Sequence, residues 1–170
     1  QLHVFYQLKR NIFKDNWCGS EALIRWIDPI KGMISPGKFI PLFEKNGFVI
    51  KLDLFVFENV CKNISRMIDD GITPLRVSVN VSRSHLMHKN FLDEYFKLME
   101  NYNVPPKYIE FELTESLVME NSEILEMVSG YVDSVSIAGM EVCAVAVIMS
   151  AIGCIVGAVV FDILSKRWHT

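Results

Sequence analysis

The sequence predicts an α/β fold in which parallel strands, covered by helices on one side, curve into a TIM-like (β/α) barrel. Two strictly alternating strands point to it first. In LRVSVNV at 75–81, Val77, Val79 and Val81 share one face and Arg76, Ser78 and Asn80 the other; in YIEFEL at 108–113, Glu110 and Glu112 stand opposite Ile109, Phe111 and Leu113. These strands are separated by helical sequence and lie about 33 residues apart, a βαβ spacing that makes them parallel neighbours. The third observation is the polar face. Parallel strands covered by helices on both sides are apolar on both faces, so Ser78, Asn80, Glu110 and Glu112 must look into something else. A barrel interior and its C-terminal mouth, where this architecture keeps its active site, supply it. A flavodoxin-like open sheet is the alternative. At 170 residues the chain is short of the roughly 250 usual for eight βα units, so the predicted barrel is incomplete in this sequence.

The remaining elements follow in order. Residues 2–8 and 21–26 read as strands with a polar turn over 11–19 between them. In SPGKFIPLFEKNG at 35–47, Pro and Gly precede an apolar set at Phe39, Leu42 and Phe43 with Gly47 as a stop, which predicts a short helix. Over 50–68, Phe57, Cys61, Ile64 and Ile68 recur every three or four residues and define one buried helical stripe, ended by Asp69, Asp70 and Gly71. A helix is expected over 91–100, broken by Pro105 and Pro106, and another where Ile124, Leu125, Val128, Val132 and Val135 recur. Phe39, Phe43, Phe55 and Phe57 are read as core.

Composition excludes several classes. Hydrophobic residues make up 51% and charged residues 22%, which rules out intrinsic disorder and fibrous repeats. Seventeen basic against twenty acidic residues leave a net charge of -3, so a DNA- or RNA-polymer partner is not expected. Cys18, Cys61, Cys143 and Cys154 have no CxxC spacing and are read as reduced, structural thiols. No secretory pattern opens the chain, which starts without Met, as a fragment of something longer would; cytoplasmic exposure is the expectation. One run competes with this. Residues 142–161 carry no charge, precede Lys166 and Arg167, and meet the length and hydropathy criteria of a membrane span, although buried strands and helix pieces read the same way.

Residues able to carry chemistry lie along the polar face. Glu21, Leu23 and Arg25 alternate onto one face of EALIRW, where the carboxylate suits a hard cation and the guanidinium fork a phosphate; an internal Glu21–Arg25 salt bridge is the plainer alternative. Asn80 and Glu112, near the ends of their strands, offer oxygen donors suited to Mg²⁺ or Mn²⁺. Glu115 could ligate, clamp its loop or stand at a helix start, with Thr114 and Ser116 as capping residues. His85 and His88 lack a third ligand nearby, and no phosphate-loop or dinucleotide fingerprint is present.

EALIRW at 21–26, SPGKFIPLFEKNG at 35–47, SVNVSRSHL at 78–86 and PPKYIEFELTES at 105–116 resemble successive blocks of the EAL domain family, the bacterial phosphodiesterase domain that linearises cyclic di-GMP. The resemblance assigns 1–170 to one EAL domain, well matched over 1–135 and fragmentary over 136–170. It implies a barrel of the EAL type in which two Mg²⁺ or Mn²⁺ ions activate a water that opens cyclic di-GMP to pGpG. Glu21, Asn80 and Glu112 would be metal ligands, and Glu21 and Glu112 catalytic in that role. Gln7, Leu23 and Arg25 would contact substrate, and Glu115 would steady the loop beside the metals. The resemblance leaves room for a homodimer and for a GGDEF or sensor domain fused outside this sequence.

The chain also departs from the family. The DDFG block, the strand with Lys and Asp, AEGVE and the QG block are not intact, while GMEVCA at 139–144 and AIGCIVG at 151–157 resemble the apolar neighbours of the lost pieces. The apolar run then reads as abutted barrel strands and helix pieces in place of a membrane span. Whole blocks are missing between pieces that keep their order, as expected of a sequence lacking segments more than of decay. An inactive EAL module that binds cyclic di-GMP or a partner protein is the alternative function.

Overall fold

In the computed structural model, which describes residues 1–11, 13–88 and 91–112, the alternating segments form one mixed sheet. Strands β1 (Leu2–Asn11) and β2 (Asn16–Asp28) make an antiparallel hairpin, and the short β3 (Gly32–Ile34) folds back on the far end of β2. Helices α1 (Pro36–Lys45) and α2 (Val49–Asp69) lead to β4 (Val77–Asn80), which pairs parallel with β2. The four-residue α3 (Arg83–Leu86), α4 (Phe91–Asn101) and a 3-10 turn (Pro106–Tyr108) then lead to β5 (Ile109–Glu112), parallel to β4. The parallel β4–β5 pair matches the expectation from their spacing.

The predicted barrel is not what forms. Among the described residues the strand order is β1-β2-β4-β5 with β3 on β2, and the sheet is open: β1 bonds only to β2 and β5 only to β4. Closure requires a strand number and stagger that agree, and the parallel set β2, β4 and β5, with antiparallel β1 on one side and β3 on the far end of β2, leaves the outer edges of β1 and β5 without a partner among the described residues. The polar row assigned to a barrel interior is therefore one face of an open sheet. The loop-clamp reading of Glu115, the helix expected over 124–135 and the apolar run 142–161 lie outside the described residues. Among those described, no helix is long and apolar enough to cross a membrane.

The helices cover the other face. Ala22, Val77, Val79, Val81 and Ile109 are buried against Val56, Phe57, Val60, Cys61 and Ile64 of α2 and Phe91, Leu92, Tyr95 and Met99 of α4. At the centre, Phe57 meets Tyr95 edge-on at 4.6 Å and stacks on Phe111 at 5.6 Å. The expected stripe holds for Phe57, Cys61 and Ile64, whereas Ile68 in the last turn and Phe55 on the outer face are 36% exposed. Burial pushes the Cys61 thiol up to about 12, consistent with an inert packing role. Helix α1 docks through Phe39 and Phe43 on Trp26, at 5.6 and 6.4 Å, and ends as predicted at Gly47, whose φ of 73° few other residues adopt cheaply.

The first turn is shorter than predicted. Asn11 Oδ1 accepts from the N–H groups of Phe13 and Lys14, Asp15 takes a left-handed φ of 52°, and β2 begins at Asn16, so Trp17 and Gly19 pair with β1 and Cys18 is the extra residue at a register shift between them. Gly19 is required by packing. Ser20 donates to the Arg76 carbonyl at 2.8 Å, and a Cβ on Gly19 would stand 2.9 Å from that same oxygen. Gly19→Ala should therefore destabilise the fold by about 1–3 kcal/mol, as overpacking against backbone does. Urea unfolding checks this, with a lower midpoint and an unchanged slope as the expected result.

Candidate functional site

Alternation puts Gln7 and Lys9 of β1, Glu21, Leu23 and Arg25 of β2, Ser78 and Asn80 of β4, and Glu110 and Glu112 of β5 on the face away from the helices. Register aligns them further. Gln7 pairs with Glu21, Glu21 with Ser78 and Ser78 with Glu110, forming one row across four strands, and Asn80 pairs with Glu112 in the row beyond.

Two clusters of contacts result. In the first, Asn80 Nδ2 donates to Glu21 Oε1 at 2.9 Å, which joins two of the predicted ligands. In the second, Lys9 Nζ donates to Ser78 Oγ at 2.6 Å and to Glu112 Oε1, and lies 3.9 Å from Glu110 Oε1. Ser78 Oγ in turn donates to Glu110 Oε1 at 3.1 Å, and Arg76 stands 3.6 Å from the other oxygen of Glu110. Thus Glu21, Asn80 and Glu112 sit on three adjacent strands, with the third held by a lysine.

The substrate-contact candidates are placed less tightly. Gln7 is exposed beside Glu21, and Leu23 pairs with Phe5 two residues further along β2. Arg25 makes no ion pair with Glu21; its guanidinium donates to the Ile24 carbonyl at 2.9 Å. The internal salt bridge considered for these two residues is thus not formed. His85 and His88 do not converge either, since His85 is buried and His88 exposed. Among the described residues, no three His, Cys, Asp or Glu side chains form a group that could hold a metal ion.

Sequence reasoning missed two participants. Lys9 shares a face with Gln7 by simple alternation, a signal that was available. Asp53 is the other: an acid at a core position of α2, only 8% exposed, whose Oδ2 accepts from Ser82 N–H at 3.0 Å, two residues past Asn80. Its neighbours are polar and buried as well. Asp53 Oδ2 lies 3.6 Å from His85 Nδ1, which is 2.9 Å from the Tyr95 hydroxyl. Burial, reinforced by the Asp53 and Glu94 charges, holds the Tyr95 phenol well above its usual range, so the hydroxyl that shares a hydrogen bond with Nδ1 stays protonated. The other ring nitrogen of His85, Nε2, faces Glu94 at 3.4 Å without a formed hydrogen bond.

The EAL domain family matches residues 1–144. The bifunctional diguanylate cyclase/cyclic di-GMP phosphodiesterase MucR of Pseudomonas aeruginosa is 30% identical over 141 residues, covering 81% of this chain and 21% of that protein. The cyclic di-GMP phosphodiesterase PdeR of Escherichia coli is 34% identical over 128 residues, covering 73% of this chain and 18% of that protein. The chain thus spans about a fifth of the length of these relatives. Among solved structures, the PaMucR phosphodiesterase in complex with c-di-GMP superposes with a TM-score of 0.70 at 30% identity, covering 76% of this chain and 54% of that one. The EAL enzyme Bd1971, in its cAMP- and cyclic-di-GMP-bound form, gives 0.64 at 25% identity, covering 72% and 35%.

The tie between α2 and the segment following Asn80 is open to direct measurement. Asp53→Ala leaves the Ser82 N–H without its acceptor and should cost about 1–3 kcal/mol, whereas Asp53→Asn keeps an oxygen there and should cost less. Urea unfolding of the two variants reads the difference.

Proposed function

Because the chain belongs to the EAL domain family, we propose that it binds cyclic di-GMP and, within a longer protein, hydrolyses it to linear pGpG. The observation that carries this reading is the placement of Glu21, Asn80 and Glu112 on β2, β4 and β5, with the Asn80 amide already on the Glu21 carboxylate. The relatives' activity on cyclic di-GMP supports it.

The donor chemistry fits Mg²⁺ or Mn²⁺: two carboxylates and one amide oxygen, the hard ligands these ions take. Glu21, Asn80 and Glu112 would hold the ion, and Asn80 would turn its amide so that oxygen, not nitrogen, faces the Glu21 side. A divalent ion there would supply an activated water and offset phosphate charge. These three side chains suffice for one ion at most; the second ion of a pair needs donors beyond them. Gln7, the Leu23 backbone and Arg25 are the proposed substrate contacts, Arg25 through donors that the Ile24 carbonyl leaves free. Glu115 is the proposed loop support beside the site.

A second reading has its own observation. Glu112 is engaged by Lys9 and only two carboxylates stand at the proposed ligand set, which favours a module that binds cyclic di-GMP without cutting it. Incubation of the full chain with cyclic di-GMP and Mn²⁺ separates the two: pGpG supports hydrolysis, and retained binding without product moves the assignment to the second reading.

Two substitutions sharpen this. Glu21→Gln keeps an oxygen for Asn80 and strands no guanidinium, so it should leave the fold intact while pGpG formation stops. Circular dichroism and product analysis together check it. Arg25→Ala should weaken cyclic di-GMP binding about tenfold to somewhat over a hundredfold, the worth of a charge-assisted contact, with Mn²⁺ affinity unchanged. Calorimetric titration of each ligand checks that; an unchanged dissociation constant for the dinucleotide would remove Arg25 from the substrate contacts.

A further inference from the structure

We propose that Lys9 is a built-in ammonium occupant of the acidic face and competes with a divalent cation for Glu112. The inference rests on the reading of Glu112 as a cation ligand and adds a residue that sets how strongly the cation binds.

The reach of the lysine is the first argument. Lys9 lies on β1 and Glu112 on β5, three strand spacings or about 14 Å apart across a flat sheet, and the register places Glu112 two side-chain rows further along the strands as well. The extended side chain nonetheless reaches over Ser78 to Glu112, and its own register partner, Gly19, has no side chain to crowd its base. The lysine is therefore aimed across the face at the β5 acids.

The distribution of partners is the second. Glu110 has the Ser78 hydroxyl at 3.1 Å and Arg76 at 3.6 Å besides the more distant lysine. Among the described residues the side-chain partner of Glu112 is Lys9, which donates directly to the carboxylate oxygen a cation would need. The two glutamate side chains are 13% and 11% exposed, so their charges are poorly screened by solvent, whereas Lys9 is 28% exposed. Its flexible four-carbon stem allows the ammonium to swing outward. A divalent ion arriving at Glu112 meets one positive charge already on its ligand and must displace it. With the lysine gone, the ion meets no ammonium on Glu112, while Arg76 stays with the neighbouring Glu110.

The test is Mn²⁺ titration of the full chain by calorimetry, without nucleotide, alongside thermal unfolding with and without Mn²⁺. Lys9→Met removes the charge, Lys9→Gln removes it while retaining a donor for Ser78, and Lys9→Arg keeps it. Mn²⁺ should bind the two neutral variants about tenfold more tightly or better, and the arginine variant no more tightly than wild type. Without metal the neutral variants should melt below wild type, because Glu110 and Glu112 repel, and should show the larger rise when Mn²⁺ is added. Binding by the neutral variants where wild type shows none would support the proposal most strongly. Equal or weaker affinity in the neutral variants, with wild type binding Mn²⁺ and Glu112→Gln losing it, would overturn the role of Lys9 and leave Glu112 a ligand. Wild-type affinity in Glu112→Gln, or no binding by any variant, would overturn the ligand assignment and this proposal together.

Discussion

The two-sidedness of β4 is the constraint on which the rest depends. This four-residue strand is bonded on both sides, parallel to β2 and to β5, and its valines sit in the core while Ser78 and Asn80 face away. A slip of one residue would exchange the faces, burying Asn80 under α2 and exposing the valines. The aromatic packing of Phe57, Tyr95 and Phe111 opposes such a slip, since those rings close over the valine face only in one register. Register therefore fixes which polar atoms meet on the far side.

On that side the balance of charge is delicate. Three carboxylates, Glu21, Glu110 and Glu112, lie on two strands separated by one, and their described partners are an amide, a serine hydroxyl, Lys9 and Arg76. Each partner is placed differently. Asn80 is neutral and leaves Glu21 its charge, whereas Lys9 neutralises Glu112 directly. Such an arrangement keeps acids together in the folded chain and leaves them responsive to a competing cation, because the same oxygen can serve an ammonium or a metal but not both at full strength.

The face is also braced from beneath. Asp53 reaches from α2 to the Ser82 N–H just beyond Asn80, and Ser82 Oγ accepts from His85 N–H at 3.3 Å to start α3. His85 and Tyr95 fill the space under this loop. A buried acid is costly unless hydrogen-bonded, so its placement here ties the position of a helix in the core to that of a side chain on the opposite face of the sheet. This path connects packing to the proposed site through backbone and not through contacts among the site residues themselves.

The sequence by itself determined the local elements and their faces, because alternation and helical spacing depend only on backbone geometry and on which side chains avoid water. The valines of β4, the stripe Phe57, Cys61 and Ile64, the stop at Gly47 and the parallel relation of β4 to β5 were all legible in this way. It also revealed the family, and with it Glu21, Asn80 and Glu112 as residues to watch. Closure was another matter. The polar row that suggested a barrel interior belongs to an open sheet, since alternation states that a face is polar but not whether further strands enclose it. The short first turn escaped because pairing of Trp17 and Gly19 with β1 outweighs their local tendency toward a loop. Lys9 on Glu112, Asp53 under Ser82 and Asn80 on Glu21 were decided by tertiary structure alone: each joins groups from separate strands, helices or loops, and the distance between them is set by strand register and packing, which no single segment contains.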